Sequence, residues 1–208
     1  MSSPKQPTKS STSGLDQVHD WFTKNHWKIF TFQKECWQSV LSGNEGILHA
    51  PTGSGKTFAL WMPHIIRWLD AKKQANKGLQ LIWITPLRAL AKDTERQFKQ
   101  SLAEFGLDIQ VGRRTGDVSA SARKKQEQTM PQVLITTPES LHVLMAQKKH
   151  ERYFKHLHSV VVDEWHELMG SKRGTQTELF LARARALRPE VKTWGISATL
   201  GNMEEAVE

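Results

Sequence analysis

A single cysteine, Cys36, occurs among the 208 residues, so no intrachain disulfide can form and cysteine usage gives no sign of export. Alone, Cys36 reads as a small buried hydrophobe. The nine histidines include no H-x-x-x-H pair and have no cysteine partner at ligand spacing, which argues against a structural zinc site. No G-x-S-x-G elbow occurs. No apolar run approaches the roughly 20 residues that span a bilayer, and the N-terminus lacks the apolar core of a secretory signal. The expectation is a soluble protein of a reducing, cytoplasmic compartment, with no membrane partner.

What is present begins with charge. Twenty-nine lysines and arginines against 21 acids give a formal net charge of +8, and basic surfaces attract polyanions such as nucleic acid without specific contacts. The length suits one large α/β domain and is too short for two. Residues 1–14, rich in Ser, Thr, Pro and Lys, have almost nothing to bury and read as a disordered tail, leaving 15–208 as the domain. Val18, Trp21 and Phe22, then Trp37, Val40 and Leu41, recur at helical spacing and predict two helices before the first strand. Further on, apolar runs at 79–85, 108–112, 132–136, 160–162 and 193–197 alternate with helical segments. Leu87, Leu90, Ala91, Phe98, Leu102 and Phe105 share one helix face; Leu141, Leu144 and Met145 share another. This alternation predicts an α/β fold, a parallel sheet flanked by helices, with ligands at the carboxyl ends of the strands. Trp61 and Trp68, at helix spacing, read as core.

Residues 50–57 read A-P-T-G-S-G-K-T, between the run Ile47, Leu48, His49 and a helical segment at 58–69. Strand, loop and helix in that order are the setting of a phosphate-binding loop. Gly53 and Gly55 let the backbone N–H groups of the loop, which includes Thr52 and Ser54, turn inward. Lys56 would reach the outer phosphates of ATP and the Thr57 hydroxyl would ligate Mg²⁺. Ala50 replaces the first glycine of the general pattern, and in isolation the string also reads as a turn before a helix.

Directly after 160–162 come Asp163, Glu164, Trp165 and His166. A carboxylate at the end of a buried strand beside a phosphate loop is placed to hold Mg²⁺, and the next one to activate the attacking water. Asp163 takes the first role and Glu164 the second. A lone V-V-D-E more often just ends a strand; the upstream loop reverses that balance. Trp165 is expected to pack beneath the site. Ser197 and Thr199, in S-A-T, are placed to hydrogen-bond the acid pair and relay the nucleotide state.

In order, A-P-T-G-S-G-K-T, T-P-L-R-A-L (85–90), T-T-P-E-S-L (136–141), D-E-W-H and S-A-T resemble the motifs of superfamily 2 helicases of the DExH-box kind. D-E-W-H-E-L, R-G-T-Q-T-E-L (173–179) and G-I-S-A-T-L (195–200) resemble Lhr-type helicases, in particular the bacterial DNA-ligase-associated DExH helicases. The resemblance covers about residues 25–205 and accommodates Ala50. It implies a RecA-like P-loop NTPase lobe of an ATP-dependent helicase, with ATP and Mg²⁺ as cofactors. Gln33, in F-T-F-Q, matches the glutamine that reads the adenine edge, although Phe30 and Phe32 depart from the commoner Pro-Thr; a core-facing residue at a helix start is the equal alternative. His166 matches the histidine that links the ATP site to the nucleic acid; as a bare histidine it would be a structural hydrogen-bonder. Pro86 and Arg88, the group Arg113, Arg114, Thr115 and Gly116, and Thr137 with Pro138 fall where these proteins grip a sugar-phosphate backbone. Single-stranded nucleic acid is the implied partner, DNA favoured over RNA, in a DNA-repair setting with a ligase and a nuclease.

The resemblance further implies a second RecA-like lobe carrying an arginine for the transferring phosphate. No such motif follows S-A-T, so the expectation is one lobe that binds ATP with Mg²⁺ weakly and hydrolyses little alone. Its partners would then include a second lobe and C-terminal domains of a longer chain, and 202–208 would open the next helix. A non-catalytic RecA-like module binding nucleic acid or a protein is the alternative, while T-P-E-S and S-A-T disfavour a transport or signalling ATPase.

Overall fold

The computed structural model describes residues 12–51, 53–71, 78–148 and 150–198. Its strands are β1 Gly46–His49, β2 Leu81–Ile84, β3 Val111–Arg114, β4 Val133–Thr136, β5 Ser159–Val162 and β6 Lys192–Ser197. They form one parallel sheet in the order β1-β6-β5-β2-β4-β3. The helices among the described residues are α1 Gly14–Lys24, α2 Thr31–Leu41, α3 Lys56–Asp70, α4 Arg88–Glu104, α5 Ala120–Gln128, α6 Pro138–Met145, α7 His150–Phe154, α8 Trp165–Leu168 and α9 Lys172–Leu187.

Side chains alternate across the sheet with period two, so each central strand feeds two cores. Leu81 and Trp83 of β2, Val133 and Ile135 of β4, and Val161 of β5 join the core under α1 to α4. Ile82 and Ile84, Leu134, and Val160 and Val162 join the core under α6 to α9. Burial on both faces explains why these strands read as unbroken apolar runs.

Two boundaries move. Gly14, expected in the disordered tail, opens α1: Ser13 caps the helix by accepting from Asp16 N–H at 3.1 Å, and Gly14 N–H donates to Asp70 at 2.7 Å. A Cβ on Gly14 would meet the Ile66 carbonyl oxygen at 2.7 Å, so the close approach of α1 to α3 needs glycine there. Residues 1–11 and 199–208, covering the rest of that tail and the helix expected at 202–208, lie outside the described residues. The run 108–112 foresees β3, but the strand sits later, because its ladder is set by β4, where Arg113 pairs with Ile135 and Arg114 with Thr136.

The first core is aromatic. Phe98 of α4 lies flat on Trp61 of α3, with centroids 3.7 Å apart and planes at 2°, while Trp83 stands edge-on to Phe98 at 5.0 Å and 87°. Each indole N–H finds an acceptor: Trp61 donates to Ser101 at 2.8 Å, Trp37 to the Phe58 carbonyl at 3.2 Å and Trp194 to the Asn44 carbonyl at 2.9 Å. Tryptophan can therefore be buried here at no cost in unpaired polar groups.

His64 lies in the same layer, with ring contacts to Trp61 and Trp68. Burial first, then the Arg67 and His158 charges, push its pKa down from 6.5 to about 3. The unfolded chain thus takes up a proton in this window that the fold refuses, and stability is complete above pH 6.5 and lost as pH falls toward 3. The slope is about 1.4 kcal/mol per pH unit at most. Denaturant midpoints at pH 7, 5 and 4 should fall more steeply for the wild type than for His64→Leu; parallel profiles would refute this origin of acid sensitivity.

Candidate nucleotide site and strand-end surface

The chain leaves β1 and curls at once into the phosphate loop. Gly53 and Gly55 have φ of 79° and 85°, and Gly55 caps α3 in the left-handed region. Ser54 closes the turn, its hydroxyl donating to the Pro51 carbonyl at 2.7 Å. Lys56, only 7% exposed, folds over the loop with Nζ donating to the Ala50 carbonyl at 2.7 Å. Ala50 N–H donates to the Ser197 carbonyl at 3.4 Å, which ties the loop to the end of β6. Thr52 lies outside the described residues.

Gln33, 2% exposed, braces this loop from behind. Its Oε1 accepts Phe30 N–H at 3.0 Å and its Nε2 donates to the Gly55 carbonyl at 3.1 Å. The geometry seen is that of a helix-start residue facing the core. Nε2 keeps a second N–H beyond that contact.

Gly53, Gly55, Lys56 and Thr57 line one end of a cleft of about 700 Å³ together with Asp163 and Glu164. Asp163 Oδ1 accepts Glu164 N–H at 3.0 Å and Oδ2 accepts the Trp83 indole N–H at 3.4 Å. Burial, then the neighbouring Glu164 charge, push the Asp163 carboxyl up to about 6, against the pull of those two donors and Lys56. Glu164 has φ 48° and ψ 48°, a left-handed backbone that costs a residue with a side chain about 1–2 kcal/mol. His166 joins the acid pair to β6: its Nδ1 lies 3.4 Å from Ser197 Oγ, 3.4 Å from Ala198 N–H and 3.5 Å from Glu164 Oε2. A donating Ala198 N–H makes Nδ1 the acceptor and leaves the proton on Nε2, 3.7 Å from Glu167. Thr199 lies outside the described residues. Trp165 packs against the second core.

The ends of β2, β4 and β3 carry the other group of expected residues. Arg88 is exposed at the start of α4, and its guanidinium lies against Gly116, where a Cβ would be 2.7 Å from Nη2. Pro86, Thr115, Thr137 and Pro138 are buried, with Thr137 in the N-cap position of α6. Arg113 is spent on Glu95 at 3.0 Å, Asp117 at 2.8 Å and the Thr115 hydroxyl at 2.7 Å. Arg114 departs from expectation: it is 3% exposed and held by Glu127 at 2.7 Å, because its position in β3 turns it under α5 and away from solvent. It is a structural ion pair, with no guanidinium face open to a phosphate. Sequence reading also passed over Trp83, whose apolar run looks like plain core, and gave no role of its own to Thr85, the first residue of T-P-L-R-A-L, whose hydroxyl is buried without a partner. Only strand order brings these two beside Asp163.

A glycine loop capping a helix, a buried lysine over it and an acid pair two strands away define a P-loop nucleotide-binding domain with the RecA-like sheet. Residues 30–206 match the DEAD/DEAH box helicase family, and the chain belongs to that family. It is 34% identical over 213 residues to the Lhr helicase/probable uracil glycosylase of Mycolicibacterium smegmatis, covering 94% of this chain and 14% of that protein. To the ATP-dependent helicase Lhr-Core of Sulfolobus acidocaldarius it is 34% identical over 203 residues, covering 92% of this chain and 23% of the relative. The solved structure of Mycobacterium smegmatis helicase Lhr bound to ssDNA and AMP-PNP matches with a TM-score of 0.77 at 33% identity, over 93% of this chain and 26% of that one. The chain is thus similar throughout to the ATP-binding domain of Lhr-like ATP-dependent helicases and spans about a quarter or less of the length of these relatives. No helix among the described residues is long and apolar enough to cross a membrane.

Gly55 tests the loop directly. A Cβ there meets Gln33 Nε2 at 2.8 Å on a backbone of φ +85°, whereas Gly106, at φ +66°, has nothing within 4 Å. Gly106→Ala should cost the backbone term alone, about 1 kcal/mol, and Gly55→Ala about 2–3 kcal/mol because the Gln33 bond goes too. Equal denaturant midpoints for the two variants would show that Gln33 does not hold the loop.

Proposed function

We propose that this chain is a motor lobe that binds ATP with Mg²⁺ in the 700 Å³ cleft and grips single-stranded nucleic acid across the ends of β2, β3 and β4. The observation that carries the reading is the convergence of Lys56, Thr57, Asp163 and Glu164 on that one cleft, in a chain of the DEAD/DEAH box helicase family.

The donor set fits Mg²⁺. Thr57 offers a hydroxyl and Asp163 a carboxylate, hard oxygens that leave room for the phosphate oxygens and waters this ion retains. Bound there, Mg²⁺ would neutralise charge on the outer phosphates. Lys56 exchanges the Ala50 carbonyl for a phosphate oxygen, and the N–H groups of the loop and the first turn of α3 take others. Glu164 accepts the proton of the attacking water. His166, between Glu164 and the end of β6, carries the state of the acid pair to Ser197 and, in S-A-T, to Thr199. Gln33 reads the adenine edge with its second N–H while holding Gly55.

On the other surface Arg88, the N–H groups opening α4 and α6, and the loop at Gly116 take successive phosphates, with Thr137 and the two prolines Pro86 and Pro138 setting the backbone. Arg113 acts by fixing the loop through Asp117. Such contacts position a strand without reading its bases. DNA is favoured over RNA because the similar Lhr structure holds ssDNA. A repair setting with a ligase and a nuclease rests on the Lhr-type strings alone, and a cytoplasmic location on cysteine usage and the lack of a signal core. The lobe takes in the Ser13 cap of α1, and hydrolysis needs an arginine from a second lobe.

Binding of a fluorescent ATP analogue tests the first half. Lys56→Ala should weaken it at least about 10-fold, the loss of one charge-assisted contact, while Glu164→Gln should keep it and, in a two-lobe enzyme carrying this domain, stop turnover. Strand binding without nucleotide binding would leave only the non-catalytic module. For the second half, Arg88→Ala should weaken single-strand binding and lower the salt slope by about 0.7, the value for one phosphate contact on a single strand. Glu127→Gln should instead lower stability by exposing Arg114's buried charge and leave the salt slope unchanged.

A further inference from the structure

β2 reaches the acid pair with a residue that belongs to none of the motifs. Trp83 is fully buried, and its indole N–H donates to Asp163 Oδ2 at 3.4 Å. The other carboxylate oxygen takes Glu164 N–H at 3.0 Å, and Asp163's own N–H donates to the Ile84 carbonyl at 2.7 Å, extending the ladder between β5 and β2. Both carboxylate oxygens and the main chain are therefore tied down from within the chain.

The indole itself has no freedom to drift. Its edge stands on Phe98, Phe98 lies flat on Trp61, and the Trp61 N–H is taken by Ser101. That stack joins β2 to α3, which begins at the phosphate loop, and to α4, which begins at Arg88. An outer donor on a ligating carboxylate fixes its orientation, and removing such partners typically weakens metal binding 10–100-fold. Mg²⁺ depends on orientation more than Ca²⁺ does, since it requires near-ideal octahedral geometry. A carboxylate tethered at both oxygens presents its remaining lone pairs to the cleft in one direction only.

We propose that Trp83 is a positioning residue: its indole N–H, pinned by Phe98 and Trp61, sets the orientation of the Asp163 carboxylate and with it the Mg²⁺ requirement for nucleotide binding. The proposal rests on Asp163 as the metal residue.

The test is a Mg²⁺ titration of AMP-PNP binding to the 208-residue chain, as wild type, Trp83→Phe and Asp163→Ala. Trp83→Phe removes the N–H and keeps a ring; it should raise the half-saturating Mg²⁺ concentration about 10-fold and leave affinity for AMP-PNP in EDTA unchanged. A purely structural role would weaken both alike. If Asp163→Ala keeps the wild-type Mg²⁺ dependence, the metal assignment fails and the proposal with it. If Asp163→Ala loses that dependence while Trp83→Phe titrates as wild type, Trp83 alone is refuted. A readout in the wild-type chain needs no variant to fold: the Trp83 indole N–H resonance, assigned through its contact with Phe98, should move when Mg²⁺ joins the nucleotide-bound protein. A resonance that stays still overturns the proposal.

Discussion

The insertion of β6 between β1 and β5 is the constraint on which the site depends. Leu48 pairs with Ile196 and His49 with Ser197 on one side of β6, and Val162 with Gly195 on the other. β1 and β6 end at the same level and β5 ends two residues earlier, so the phosphate loop after β1 and the acid pair that continues β5 flank the last residues of β6, Ile196 and Ser197. The Ala50 N–H and His166 both bond the end of β6, and the His166 ring also sits beside Glu164, so loop, strand and acids meet in one unit.

That unit is held under tension. An aspartate raised from 3.8 to about 6 binds its proton more tightly in the fold than in the unfolded chain. Its contribution is therefore favourable at acid pH and is lost as pH rises through about 6, so at neutral pH the ionised group opposes folding. Glu164 adds a left-handed backbone, and Thr85 adds a buried hydroxyl without a partner at the end of β2. Conflicts of this kind persist where surrounding structure over-determines them. Here the surroundings are the aromatic layer of Trp61, Phe98 and Trp83 on one face and Val160 and Val162 on the other.

Legibility followed the range of the interactions. The phosphate loop could be read because its glycines, lysine and threonine are the chemistry, and the central strands β2, β4 and β5 because burial on both faces leaves apolar runs. The family followed from five such strings in order, and the match over residues 30–206 agrees with it. What escaped depends on partners distant in sequence. Gly14 looks like tail until Asp70 is beside it, and Arg114 looks like a phosphate ligand until Glu127 is. Trp83 looks like core until β5 lies next to β2, which no local pattern discloses. Thr52 and Thr199 fall outside the described residues, so those two readings rest on sequence alone.

The basic balance of the chain needs the same correction. A net charge of +8 suggests a polyanion, but charge counts only where it faces solvent unpaired. Arg113 and Arg114 are committed to Glu95, Asp117 and Glu127. What they supply is rigidity: the Thr115 hydroxyl, then Arg113, hold Asp117 down to about 2, and this locks the turn on which Gly116 meets Arg88. Of the three arginines expected at these strand ends, Arg88 is the one left exposed. A guanidinium held by two or three bonds has already given up its side-chain entropy, so two arginines spent in this way make a turn rigid where two free ones would make a mobile basic surface.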